Sequence, residues 1–152
     1  LRQRGAGNGQ TFTRVILTEN RDAAWAAVSR HVARGATVFA DEHRSYDDLA
    51  ALNPLRRVNH ATAYQADDGA NTNQVESYFA RVHRSYVGQH HRFSMKYLDW
   101  YVADLAWRED TRRWGNKRQT YDVLKTALGQ PTSRYLCGYW QGNKPPDLIW
   151  EA

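Results

Sequence analysis

This chain of 152 residues is short of cysteine and of long apolar runs. Its single cysteine, Cys137, cannot form a disulfide within the chain or a cysteine cage for zinc, and it favours a reducing compartment. The longest run without a polar residue, 23–28, has six members, whereas a membrane-spanning helix needs about 20. The first residues show no secretory signal pattern. We therefore expect a soluble, cytoplasmic protein without a membrane partner.

The composition is that of one mildly basic globular domain. Lys and Arg number 21 against 16 Asp and Glu, which gives a formal net charge of +5. Apolar residues make up 41% of the chain, which excludes a wholly disordered protein. Aromatic residues are numerous, with 6 Trp, 9 Tyr and 4 Phe, and such side chains either fill a core or stack on nucleic-acid bases.

The order of apolar patterns predicts an α/β fold with extra helices at the C-terminus. After a flexible basic lead-in over 1–10, we expect a main domain over 11–113 and a helical and irregular extension over 114–152. The predicted elements are a strand over 11–18, a helix capped by Asn20 and closed by Gly35, a buried strand over 36–40, a short helix over 46–52, a strand over 55–60 after Asn53-Pro54, a loop over 65–71, a helix from Asn73, a loop over 88–93, a helix capped by Ser94 and a last helix over 121–128.

Two acidic residues occupy positions suited to a functional site. Asp41 directly follows the predicted buried strand, and ligands of open α/β sheets gather at the carboxyl ends of strands. Glu76 lies three residues after Asn73, on the polar side of the predicted helix. Each has a structural alternative: Asp41 starts the turn into the next helix, and Glu76 forms a capping box with Asn73.

The apolar stripe of the helix from Asn73 is expected to face the core. Its members follow one another at helical spacing and are Val75, Tyr78, Phe79, Val82 and Tyr86. The next helix offers a second such stripe, made of Tyr97, Leu98, Tyr101, Val102 and Leu105.

Residues 77–98, here called the basic strip, contain no Asp or Glu. The strip's candidate DNA-binding residues are Arg81, His83, Arg84, His90, His91, Arg92 and Lys96. A run of one charge sign suits a polyanion, because neutralised phosphates release counterions. The alternative is an ordinary solvated face. A second cationic group, which extends this track, consists of Arg108, Arg112, Arg113, Lys117 and Arg118.

Several motifs in the right order resemble one known family. They are the string 41–46 with Leu49, the string 58–60, the string 71–79, and the aromatic helix 97–107 followed by Arg108 and Arg112-Arg113. Together, over roughly 11–113, they resemble the ISXO-like insertion-sequence transposases of the DDE superfamily.

The resemblance implies an RNase H-like (integrase-type) mixed sheet whose acids hold two Mg²⁺ or Mn²⁺ ions. Asp41 would be the second catalytic and metal-binding acid and Glu76 the third. The first is expected on a strand upstream of Thr11, so we expect the first strand to be missing and this chain alone to be nearly inactive. The implied activity is metal-dependent DNA strand cleavage and strand transfer during transposition, with transposon-end and target DNA as partners, a homo-oligomer as the active form, and location at the nucleoid when DNA is bound.

The sequence departs from the family pattern at two positions. His83 stands where the family usually has Lys, and Asn71 where it usually has His. His60 and Asn73 belong to matched motifs as possible supporting residues, or else act only as a strand-end histidine and a helix cap. Two other functions stay open, namely a non-catalytic nucleic-acid-binding relic of a transposase and a simple metal-dependent nuclease.

Overall fold

The computed structural model describes residues 1–4, 9–58, 72–133 and 137–142. Its α-helices are α1 (Arg21–His31), α2 (Asn73–Ser85), α3 (Leu98–Thr111) and α4 (Asn116–Gly129). Its strands are β1 (Val38–Ala40) and β2 (Leu55–Arg57). Short 3₁₀ helices span Arg44–Ala51, Met95–Tyr97 and Tyr139–Gln141, and a π-helical turn spans Tyr86–His90. The described chain is thus mixed α/β and mostly helical.

The strands β1 and β2 form a parallel pair, with Val38 opposite Leu55 and Ala40 opposite Arg57. Parallel pairing requires a crossover, and the 3₁₀ helix Arg44–Ala51 supplies it. The predicted strand over 36–40 is confirmed for Val38–Ala40, in which Ala40 is buried and Val38 and Phe39 are half-buried. The larger mixed sheet that the resemblance implies remains a prediction, because the described residues contain only this two-stranded sheet.

Asn53 holds the turn between the crossover and β2. Its side chain is buried, and its Nδ2 donates hydrogen bonds to the carbonyl oxygens of Ala33 at 2.8 Å and Ala36 at 2.9 Å. The amide of Val38 donates to the carbonyl of Pro54 at 2.8 Å. Asn53-Pro54 therefore ends a helix, as predicted, and also ties the loop before β1 to the loop before β2.

The start of α1 is as predicted. The side chain of Asn20 accepts a hydrogen bond from the amide of Ala23 at 2.8 Å, which satisfies one of the free donors of the first turn. The helix ends at His31, and Gly35 lies in the following turn with φ of +82°, a conformation that glycine adopts without strain.

The predicted strand over 11–18 is wrong. Thr11 makes an isolated antiparallel bridge with Arg2, and no strand of the described chain continues it. Carboxylates of α3 take the place of a neighbouring strand: the amide of Thr11 donates to Asp110 at 2.9 Å, and that of Val15 donates to Asp99 at 3.1 Å.

The described residues of the lead-in make several hydrogen bonds, and the flexibility predicted for 1–10 stays a prediction. The amide of Gln3 donates to the carbonyl of Gln10, and the amide of Phe12 donates to the carbonyl of Leu1, both at 2.8 Å. The Arg2 guanidinium is almost fully buried against α3, where it bonds Asp110 at 2.7 Å.

The core that positions α2 lies against α3. Tyr78, Leu105 and Ala106 form a buried cluster, and Val82 and Phe93 pack against it. The hydroxyl of Tyr78 donates to the carbonyl of Val102 at 2.8 Å. The α3 stripe therefore faces inward as predicted, with Leu105 buried and its other members half-buried.

The predicted burial of the whole α2 stripe is wrong in part. Phe79 is 63% exposed and Tyr86 is 43% exposed, whereas Tyr78 is 5% exposed. The predicted stripe is wide, and α3 covers only the side on which Tyr78 and Val82 lie.

Several element boundaries differ from the predicted ones. The N-cap of α2 is Thr72 and not Asn73, which is the first helical residue. The crossover is a 3₁₀ helix that begins at Arg44, because the side chain of His43 accepts from the amide of Ser45. Ser94 precedes a 3₁₀ turn that leads into α3, and α4 begins at Asn116 instead of Tyr121.

No helix in the described ranges combines the length and the apolar character that crossing a bilayer requires.

Candidate functional site

Asp41 lies at the carboxyl end of β1, as predicted. Its Oδ1 accepts a hydrogen bond from the amide of His43 at 3.0 Å, which starts the turn into the crossover. Among the described residues its Oδ2 has no hydrogen-bond partner. The turn-forming role of Asp41 is therefore observed, and one carboxylate oxygen remains for a ligand.

A set of polar side chains adjoins this turn, and sequence patterns did not reveal it. The hydroxyl of Tyr46 donates to Glu19 Oε1 at 2.9 Å. The ring nitrogen Nδ1 of His43 accepts from the amide of Ser45 at 3.3 Å and lies 2.8 Å from Ser45 Oγ. The same nitrogen lies 3.5 Å from Glu19, a contact that becomes an ion pair only when the imidazole is protonated. Glu19, His43 and Tyr46 thus lie together beside Asp41.

The pKa of Tyr46 is raised to about 12. Burial is the largest cause, followed by the hydrogen bond to Glu19, the charge of Glu19 and then the charge of Asp41. The carboxylates of Glu19 and Asp41 therefore both act on the phenol of Tyr46.

Glu76 lies in the first turn of α2, where the helix dipole favours a negative charge. Its Oε1 accepts a hydrogen bond from the hydroxyl of Thr72 at 2.6 Å, and the residue is exposed. The predicted capping box with Asn73 is wrong, because Thr72 and not Asn73 precedes the helix and contacts Glu76. The convergence of Asp41 and Glu76 stays a prediction.

Carboxylate oxygens are the donors that Mg²⁺ prefers, so Asp41 and Glu76 fit such an ion by chemistry. Across residues 1–4, 9–58, 72–133 and 137–142, however, no three His, Cys, Asp or Glu side chains are grouped closely enough to hold a metal. Of the possible supporting residues, Asn73 is exposed at the start of α2, and His60 lies outside the described residues.

The exposed cations of the basic strip lie at the end of α2 and in the loop after it. His83 and Arg84 are exposed in the last turn of α2, and His91 and Arg92 are exposed beyond the π-helical turn. Lys96 is half-buried, with its ammonium 6.0 Å from the ring centre of Tyr97. The exposed His83, Arg84, His91 and Arg92 are therefore accessible to a polyanion.

Two predicted DNA-binding residues are engaged elsewhere. The Nε of Arg81 lies 2.7 Å from Oε2 of Glu109. The ring of His90 packs in an aromatic group, 5.4 Å from Phe93 and 5.0 Å from Tyr101. Arg81 and His90 therefore already make contacts within the protein.

Glu109 is the centre of a buried charge cluster that sequence analysis missed. It is 4% exposed, and three guanidiniums approach it, from Arg2 at 3.5 Å, Arg81 at 2.7 Å and Arg112 at 3.2 Å. The Arg81 contact is an ion pair without hydrogen-bond alignment, since neither Arg81 Nε nor Glu109 Oε2 has a hydrogen-bond partner among the described residues. The sequence contains one indication that Glu109 is buried. Glu109 follows Leu105 by four residues and therefore lies on the same, buried face of α3.

Two of the five residues of the second cationic group are in ion pairs. Arg108 contacts Asp104 at 2.7 Å, and Arg112 contacts Glu109. Arg118 stacks over the ring of Trp114 at 3.9 Å. Arg113 and Lys117 are exposed.

The model of a protein family described as "ISXO2-like transposase domain" matches residues 1–110, which is 110 of the 152 residues of this chain. No curated protein and no solved structure matches the chain. The family match confirms the resemblance drawn from the motifs between Asp41 and Arg113.

Proposed function

Since this chain belongs to the ISXO2-like transposase domain family, we propose that it is the catalytic domain of a DDE-type transposase. In this proposal it performs metal-dependent DNA strand cleavage and strand transfer on an RNase H-like fold. The DNA ends and target are its partners, and the active form is a homo-oligomer.

The proposal rests on the position of Asp41 in the fold and on its hydrogen bonding. It follows a strand of a parallel sheet directly, and its Oδ2 has no hydrogen-bond partner within the described ranges. Ligand sites of parallel sheets form at this edge.

Asp41 and Glu76 are the proposed holders of Mg²⁺ or Mn²⁺. Such ions activate the attacking hydroxyl and neutralise charge on the leaving oxygen of a phosphodiester. The chain's own contribution is to orient these carboxylates: the amide of His43 holds Asp41, and the hydroxyl of Thr72 holds Glu76. Further ligands come from outside the described residues, so we expect this chain by itself to cleave or join DNA poorly.

The exposed cations of the basic strip are the proposed DNA contacts. They are His83, Arg84, His91 and Arg92, and the half-buried Lys96 is a further proposed contact. Phosphate contacts of this kind position a duplex without reading its sequence. Binding is thus expected to weaken steeply with salt.

The test is Mn²⁺ binding by the full chain, measured by electron paramagnetic resonance of the free ion. Asp41→Asn and Glu76→Gln should each weaken binding by at least about tenfold, because each removes a charged oxygen donor. Glu42→Gln is the matched control, since it removes an exposed carboxylate next to Asp41. Binding that survives both site variants unchanged would overturn the proposed metal site.

A non-catalytic nucleic-acid-binding relic is the second candidate, favoured by the absence of a three-ligand group within the described residues. A relic would bind DNA in a salt-dependent way yet show no Mn²⁺ binding that depends on Asp41. The same pair of measurements therefore separates the two candidates.

A further inference from the structure

We propose that Glu19 and Tyr46 are positioning residues for Asp41: the Glu19 carboxylate anchors Tyr46, and this anchor holds the turn that aims the free oxygen of Asp41. The inference rests on the proposed function of Asp41 as a metal ligand.

Glu19 lies at the start of a helix that packs against the crossover. Glu19 directly precedes Asn20, the capped start of α1. Helix α1 packs against the crossover 3₁₀ helix, and Val28 and Leu49 are among the most buried residues of the two elements. A second tie between them is the contact of Arg21 with Asp48 at 3.6 Å. Glu19 therefore stands at a defined place relative to the crossover.

The connection runs from Glu19 to Asp41 in three contacts. Glu19 accepts from the hydroxyl of Tyr46 at 2.9 Å. The ring of Tyr46 meets the ring of His43 edge-on, with centroids 6.2 Å apart. The backbone amide of His43 then donates to Asp41 Oδ1 at 3.0 Å. An aspartate held at one oxygen in this way presents the other in a fixed direction.

The contact between Glu19 and the His43 ring does not provide this connection. Nδ1 of His43 lies nearer to Ser45 Oγ, at 2.8 Å, and accepts from the amide of Ser45, whereas its distance to Glu19 is 3.5 Å. The Tyr46 hydroxyl is thus the group through which Glu19 acts. Burial and then Glu19 raise the pKa of Tyr46, so the phenol keeps the proton that it donates to Glu19.

The experiment compares Glu19→Gln, Tyr46→Phe and the double variant in the full chain, with Glu42→Gln as the control for loss of a nearby charge. Outer-shell partners of metal ligands typically affect metal affinity by about 10-fold to 100-fold. We expect each single variant to raise the Kd for Mn²⁺ by roughly 10-fold, and the double variant to raise it no further, because the two residues act through one hydrogen bond. Glu42→Gln should change the Kd much less.

Two readouts in the metal-free protein test the positioning role directly. In Glu19→Gln the Tyr46 phenol, followed by NMR of ¹³C-labelled tyrosine, should titrate about one pKa unit lower, since the charged acceptor is gone. The amide of His43 should exchange with solvent faster in both single variants, because its bond to Asp41 is less well held.

The outcomes separate the inference from the function on which it rests. Wild-type values in Glu19→Gln for Mn²⁺ affinity, Tyr46 titration and His43 exchange would overturn the inference. Loss of Mn²⁺ binding in Glu19→Gln but not in Tyr46→Phe would also overturn it, since Glu19 would then itself bind the metal. If Asp41→Asn leaves Mn²⁺ binding unchanged, the proposed function fails, while the two metal-free readouts still decide whether Glu19 holds the turn.

Discussion

Glu109→Gln is expected to destabilise the fold more than any substitution of an exposed acid. The carboxylate is 4% exposed and lies 2.7, 3.2 and 3.5 Å from the guanidiniums of Arg81, Arg112 and Arg2. At an effective dielectric constant of about 20, each contact corresponds to about 5 kcal/mol of Coulomb attraction. Desolvation of the buried charges offsets most of this attraction. The partial exposure of Arg81 and Arg112 to solvent reduces it further. Removing one partner of a buried ion pair costs about 3–5 kcal/mol, so we expect about 3 kcal/mol here.

The assay is urea unfolding at 25 °C, followed by tryptophan fluorescence, with the free energy of unfolding extrapolated to water. Asp104→Asn is the matched control: Asp104 also lies on α3 and pairs with an arginine at 2.7 Å, but the pair is half-exposed. Such a pair contributes about 0.5 kcal/mol. The reasoning about Glu109 is refuted if its variant unfolds within about 1 kcal/mol of the wild type, or at the same urea concentration as the Asp104 variant.

Three further outcomes are expected. Asn53→Ala should lower the unfolding free energy by about 2 kcal/mol, because two carbonyls of the loop over 33–36 lose their donor, and a loss below about 0.5 kcal/mol would contradict this. Burial raises the pKa of Tyr78 to about 12, so between pH 10 and 12 the folded chain keeps a proton that the unfolded chain loses. Stability should therefore fall across that window by about 1.4 kcal/mol per pH unit from this group, and Tyr78→Phe should remove that part of the slope. Arg84→Ala and Arg92→Ala should each reduce the slope of log DNA affinity against log salt by about 0.9, and an unchanged slope would place bound DNA elsewhere.

Local signals in the sequence predicted the elements that depend on neighbouring residues. Asn20 caps α1 as its side-chain chemistry indicates, and β1 lies within the apolar run over 36–40. Asp41 then follows at the strand end, and Glu76 lies in the first turn of α2. These placements need only propensity, capping and periodicity, all of which act within a few residues.

Long-range polar contacts account for what the sequence did not predict. The segment from Thr11 has the composition of a strand, yet its amides bond acids of α3 that are 84 and 99 residues away. Glu19 and Tyr46 are 27 residues apart. Tyr46 lies in the motif 41–46, but Glu19 lies outside every motif, and no spacing in the sequence indicates that the two residues are in contact. Partner choice at such distances depends on the packed fold and not on the local pattern.

The bond between Arg2 and Asp110 has a consequence for how the chain folds and unfolds. It joins residues 108 positions apart, so its formation closes the chain from α1 to α3 into one loop. Closing a flexible loop of that length costs about 4 kcal/mol of chain entropy, and this favours formation of the bond only after α2 and α3 have packed. A contact made after the rate-limiting step leaves the folding rate nearly unchanged and slows unfolding. We therefore expect the bond between Arg2 and Asp110 to slow unfolding more than it changes the folding rate.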